Sequence, residues 1–173
     1  MPGGKERGNR ESEIVIPLRK ELAEFSRRAF YRGLVSGAGG NISVRIPNTD
    51  TVLITPTGIS LGDVEPEGNL LVNLQGAILE SPFGLKPSKE CSFHLVVYQL
   101  RPEVGAIAHV HPPHATAYAN KGRPLPLVTV SSRVILKEVP WIDCALPGSK
   151  ELCDFVHGGI KAHPDAKALL MKE

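Results

Sequence analysis

Apolar and polar positions divide this chain into helical blocks and short alternating ones. Leu18, Leu22, Phe25, Ala29 and Phe30 recur at helical spacing. They predict a helix over 17–32, opened by Pro17, whose missing N–H costs little in a first turn, and ended by Gly33. The polar stretch ahead of it reads as a flexible tail over 1–16, frayed most at 1–12. Ile42, Val44 and Ile46 alternate with Ser43 and Arg45, the pattern of a half-buried strand. Further strands are predicted over 51–55, 70–72 and 77–79, the last two joined by a turn with Asn73 and Gly76. Phe93, Val96, Val97 and Leu100 form the buried stripe of a second helix that starts at Pro87-Ser88, with Ser88 as N-cap, and closes at Arg101-Pro102. An apolar strand follows from Ala106 and runs into His109-Val110-His111-Pro112-Pro113. The remainder predicts a short helix over 115–120, a strand over 124–130 and a β-rich segment over 132–144 broken at Pro140. After these come a helix capped by Gly148-Ser149, carrying Leu152, Phe155, Val156 and Ile160, and a strand from Ala168 to Met171. Short neighbouring strands favour antiparallel pairing, with helices covering a mixed sheet.

Composition narrows the class. With 173 residues, 42% of them hydrophobic and 22% charged, the chain suits one soluble globular domain with its own core. A formal net charge of +2 without a basic run gives no support to nucleic-acid binding. No apolar run reaches bilayer length, so no membrane partner is expected. Three cysteines without a spaced framework fit reduced thiols in the cytoplasm.

Candidate chemistry centres on the histidine strand. Residues two apart on a strand share a face, so His109 and His111 point the same way and can grip one divalent metal, zinc being the commonest guest. A strand whose polar face merely carries two histidines gives the same pattern. Glu90 falls in the first turn of the second helix, where the helix dipole favours any carboxylate. His94, one turn on, reads as a packing histidine. The segment Ser36-Gly37-Ala38-Gly39-Gly40-Asn41 follows a helix and is no dinucleotide fingerprint. It is either a simple turn or a loop whose backbone N–H groups cradle phosphate. Pro56-Thr57-Gly58 is a turn with a hydroxyl and exposed backbone donors.

Four segments then form an ordered set: Gly40-Asn41-Ile42-Ser43-Val44-Arg45; Ile54-Thr55-Pro56-Thr57-Gly58; Pro87-Ser88-Lys89-Glu90 with Phe93-His94; and His109-Val110-His111. Together they resemble the class II aldolase/adducin family from about Leu18 to the end. The resemblance implies a three-layer α/β/α domain over 17–173 with a mainly antiparallel central sheet. It implies a homotetramer with active sites at subunit interfaces. It also implies a zinc-dependent lyase that splits a phosphorylated ketose, L-fuculose-1-phosphate-like, into dihydroxyacetone phosphate and an aldehyde through a metal-stabilised enediolate. By position, His109 and His111 match the zinc ligands, and Glu90 the catalytic carboxylate that can also approach the metal. Gly40, Asn41, Thr57, Gly58 and Ser88 match the phosphate cradle, with Lys89 adding charge where the family's aldolases usually carry a second serine. Val130 stands at the place of a leaving-group tyrosine. The third zinc histidine is expected beyond Glu173, so the chain reads as truncated there, one zinc per chain being completed by that residue. Relatives with the same enediolate chemistry act as epimerases, dehydratases or decarboxylases, and an adducin-like head would be non-catalytic. These stay open as alternatives.

Overall fold

The computed structural model describes the backbone of residues 3–172 and the side chains of residues 13–172. Helix α1 spans Gly3–Tyr31, with Pro17 inside it. The helix start expected at Pro17 is therefore corrected. Residues 3–16, including the strong helix formers Lys5, Glu6 and Arg7, continue the helix through the one hydrogen bond the proline removes. The first two residues of the expected tail lie outside the described residues. The C-terminus is as expected: Gly33 takes φ +69°, and its N–H and that of Leu34 return to the carbonyls of Phe30 and Ala29. That is a Schellman closure.

The central sheet has five antiparallel strands: β1 (Asn41–Arg45), β2 (Thr51–Ile54), β3 (Leu70–Asn73), β4 (Ile78–Glu80) and β5 (Ala106–His109). Their order is β4-β3-β2-β1-β5. Alternate residues of β2 feed opposite cores. Leu53 packs with Leu22, Ala23 and Ala29 of α1, while Val52 and Ile54 pack with Cys91, Leu95 and Tyr98 of α2 (Cys91–Leu100). The sheet thus lies between α1 and α2, the layered arrangement expected. Residues on the other face of α2, Phe93, Val96, Val97 and Leu100, pack against α5 (Lys150–Ala162).

Strand β1 departs from the half-buried expectation. Ile42 and Ile46 join the α1 core, but Asn41 and Ser43 on the polar face are buried as well. They face α2. Glu90 sits at the N-cap of α2 and not in its first turn, and no side chain caps it. Ser88 instead closes the turn before the helix: its hydroxyl accepts from the Glu90 N–H at 3.2 Å, and its carbonyl from the Cys91 N–H at 3.0 Å.

After β5 the chain forms α3 (Pro113–Asn120) and α4 (Val130–Leu136). The strand expected over 124–130 is absent, and only β6 (Trp141–Asp143) of the β-rich segment over 132–144 is a strand. The β-branched run suggested strand, but a reciprocal capping box between Thr129 and Ser132 starts a helix instead. Strand β6 pairs in parallel with β7 (Leu170–Lys172). Helix α5 is capped as expected, Ser149 accepting from the Leu152 N–H at 3.1 Å. Its internal Gly159 has a packing reason: a Cβ there would lie 2.6 Å from the Ile142 side chain of β6. Among the described residues no helix is long and apolar enough to cross a membrane.

Candidate active site

The histidine pair is built where β5 ends. Asn41 is the cross-strand partner of His109 in the β1–β5 register. Gly40, just before it, has φ +74°, and a Cβ there would meet the Val35 side chain at 2.5 Å and the His109 carbonyl at 2.8 Å. Only glycine lets this loop cross the strand end so closely. His111 lies past the end of β5, but its N–H is fixed to the Leu34 carbonyl at 2.8 Å. Val110 packs into the α1 core on the opposite side.

The imidazoles meet as the period-two argument requires. His109 Nε2 and His111 Nε2 are 2.9 Å apart, with ring planes at 79°. Glu90 Oε2 lies 3.5 Å from His109 Nε2 and accepts a 2.7 Å hydrogen bond from Asn41 Nδ2. Phe93 walls the His109 ring edge-on at a centroid distance of 5.5 Å. Two imidazole nitrogens at zinc–nitrogen bond lengths in a tetrahedral site stand about 3.3 Å from one another, so the pair fits a shared ion after a small shift. Among the described residues no three His, Cys, Asp or Glu side chains form a complete grip by themselves. The pair could offer two ligands to an ion, with the Glu90 carboxylate 3.5 Å from His109 Nε2. His114, in α3, is exposed and does not line the cavity described next.

The residues expected to hold phosphate gather beside the pair. The 56–58 and 87–88 segments run together through a bridge between Pro56 and Pro87. Thr57 N–H reaches the Lys86 carbonyl at 2.9 Å, and Ser88 N–H the Thr55 carbonyl at 3.2 Å. Gly58 has φ +76°, with open space where a Cβ would be. Gly40, Asn41, Thr57, Gly58, Ser88, Lys89, Glu90, His109 and His111 all line one cavity of about 1150 Å³. Val130 does not line it; it is exposed on the first turn of α4.

Sequence reasoning missed several parts of this cavity. Gly148, before α5, does not line the cavity but backs Lys89, which does: it has φ +80°, and a Cβ there would lie 2.7 Å from the Lys89 carbonyl. Leu146, Lys167 and Lys172 also line the cavity. A glycine before a helix cap was visible in the sequence, but nothing local said what it would touch. His94 is fully buried, as a packing histidine should be, with Nδ1 2.7 Å from Ser43 Oγ. Burial, and secondarily the nearby His109, push its pKa down to about 3, so it is neutral at physiological pH.

The sequence profile described as Class II Aldolase and Adducin N-terminal domain matches residues 20–173. An L-fuculose phosphate aldolase of Methanococcus maripaludis is 34% identical over 136 residues, which cover 79% of this chain and 72% of that protein. A 3-oxo-tetronate 4-phosphate decarboxylase of Haemophilus influenzae is 44% identical over 99 residues, 57% of this chain and 45% of that protein. A solved L-fuculose 1-phosphate aldolase superposes with a TM-score of 0.80 at 29% identity, covering 92% of this chain and 71% of that one.

Proposed function

From the premise that this chain belongs to the class II aldolase and adducin N-terminal domain family, we propose that it is a zinc-dependent aldolase of a phosphorylated, L-fuculose-1-phosphate-like ketose, releasing dihydroxyacetone phosphate and an aldehyde. The observation that carries this reading is the meeting of His109 and His111 at 2.9 Å with the Glu90 carboxylate 3.5 Å from His109, in one cavity with two donor-rich turns. His109 and His111 hold the ion, with Glu90 within reach. When bound, zinc supplies Lewis acidity toward the substrate's carbonyl and hydroxyl oxygens.

Glu90 carries the proton at the carbon beside the carbonyl. In cleavage Glu90 takes the hydroxyl proton from the carbon that becomes the aldehyde, the C–C bond breaks, and Glu90 delivers that proton to the carbon that keeps the electron pair. Asn41 holds one carboxylate oxygen for that task, and the second N–H of its amide remains for a phosphate oxygen. Gly40, Thr57, Gly58 and Ser88 supply neutral donors to phosphate, and Lys89 adds a positive charge. The test incubates zinc-loaded protein with a panel of ketose 1-phosphates and reads products by NMR. Dihydroxyacetone phosphate with an aldehyde is the expected result; no cleavage of any member defeats the reading.

Lys89 favours a second reading within the same family. It lines the cavity next to Glu90, and no carboxylate pairs with it among the described residues. A lysine there suits a carboxylate-bearing substrate, as in the decarboxylase named above. A 3-oxo acid phosphate would lose carbon dioxide, and Glu90 would protonate the carbon left behind. Lys89→Ser separates the two. Weaker but persistent inhibition by inorganic phosphate places Lys89 at the phosphate. Unchanged phosphate inhibition with an altered substrate range places it at the other end of the substrate.

The family setting also supports a homotetramer in the cytoplasm. Val128, Val130, Val134 and Ile135 are exposed apolar residues on and just before α4 that a subunit contact would cover. Light scattering at micromolar concentration should give four times the chain mass; an active, monodisperse monomer would exclude sites shared between subunits.

A further inference from the structure

Glu90 is held by more than its own hydrogen bond. On β1, Asn41, Ser43 and Arg45 share one face. On α2 and its N-cap, Glu90, His94 and Tyr98 share another, one turn apart. The two series meet rung by rung. Asn41 Nδ2 donates to Glu90. Ser43 Oγ lies 2.7 Å from His94 Nδ1 and 2.9 Å from Tyr98 OH. The Arg45 guanidinium donates to the Tyr98 carbonyl and sits 4.9 Å above its ring. The match is geometric: two strand residues advance about 6.8 Å and four helical residues about 6.0 Å, so both series keep step over three rungs. Ser43 and His94 are fully buried and Tyr98 nearly so. An apolar β1 face would pack α2 without fixing its position along the strand, whereas a buried polar ladder tolerates no slip, because sliding leaves several groups unpaired.

We propose that Ser43, the middle rung, is a positioning residue that acts through His94 and Tyr98 to set α2 along β1, and so places the Glu90 carboxylate against His109. This inference rests on the aldolase reading of Glu90. Ser43 touches neither the cavity nor the substrate turns; its effect on chemistry passes through the helix.

The test uses the exchange of a carbon-bound proton of dihydroxyacetone phosphate in D₂O, followed by NMR, with zinc-loaded wild type, Ser43→Ala, Ser43→Thr and Tyr98→Phe. In Ser43→Ala a misplaced carboxylate should lower the kcat of exchange about 10- to 100-fold, with KM and zinc content near wild type. Ser43→Thr, which keeps the hydroxyl, should recover most of it, and Tyr98→Phe should show a smaller loss in the same direction. If Ser43→Ala does not fold, Tyr98→Phe decides. A variant with a lower melting temperature but wild-type kcat, measured where it is folded, reduces Ser43 to a structural residue and overturns the proposal. Wild-type protein that binds zinc yet exchanges no proton defeats the aldolase reading, and this inference with it.

Discussion

Glu90→Gln should lower turnover about 10²- to 10⁴-fold, the usual worth of a positioned acid or base, while the zinc content stays close to wild type. The substitution keeps the side chain's length, and its amide oxygen can still accept from Asn41 Nδ2, which now donates to Glu90 at 2.7 Å. What is lost is a group that takes up and returns a proton. Glu90 stands at the N-cap of α2 without capping it, so the change removes no helix-capping bond. The side chain is also largely shielded from water, which leaves bulk solvent a poor substitute for the carboxylate. Steady-state kinetics and metal analysis on one preparation decide the matter. Near-normal turnover with intact zinc would take the proton-transfer role away from Glu90.

The second large effect is on the metal itself. Purified wild-type protein should carry about one zinc per chain, and His109→Ala/His111→Ala should carry almost none. With the cation gone, several kcal/mol of charge stabilisation go too, a loss of about 10³-fold or more in rate. The fold should survive. His111 is exposed, β5 is held to β1 by backbone pairing that an alanine retains, and Val110 keeps its place in the α1 core. Circular dichroism checks that point, and emission spectrometry counts the metal. Wild-type metal content in the double variant would put the ion elsewhere.

Much of the molecule was decided locally and is readable in one sequence. Helix ends followed from single residues with fixed backbone demands: Gly33 in the left-handed region, and Ser149 with a hydroxyl for the Leu152 N–H. Strand β1 followed from its alternation, and β3 and β4 from two short apolar runs joined by a turn. Period two also put His109 and His111 on one face, although the strand proper ends at His109. Four motifs spread over the chain pointed to nine residues, and the fold brings all nine to one cavity.

What the sequence left open was each choice that depends on a partner. Pro17 read as a helix start because a proline costs least there, yet the chain is helical on both sides of it. The segments over 124–130 and 132–144 read as strand and β-rich, but β propensity is realised only against a neighbouring strand, and the Thr129–Ser132 capping box made a helix over Val130–Leu136 first. Alternation in β1 showed that its faces differ, without saying that the polar face would meet α2 and not water. The ladder from Asn41 to Glu90, Ser43 to His94 and Tyr98, and Arg45 to Tyr98 exists only once α2 has docked. Period tells which residues share a face; only packing decides what that face meets, and here the packing decided where the Glu90 carboxylate stands.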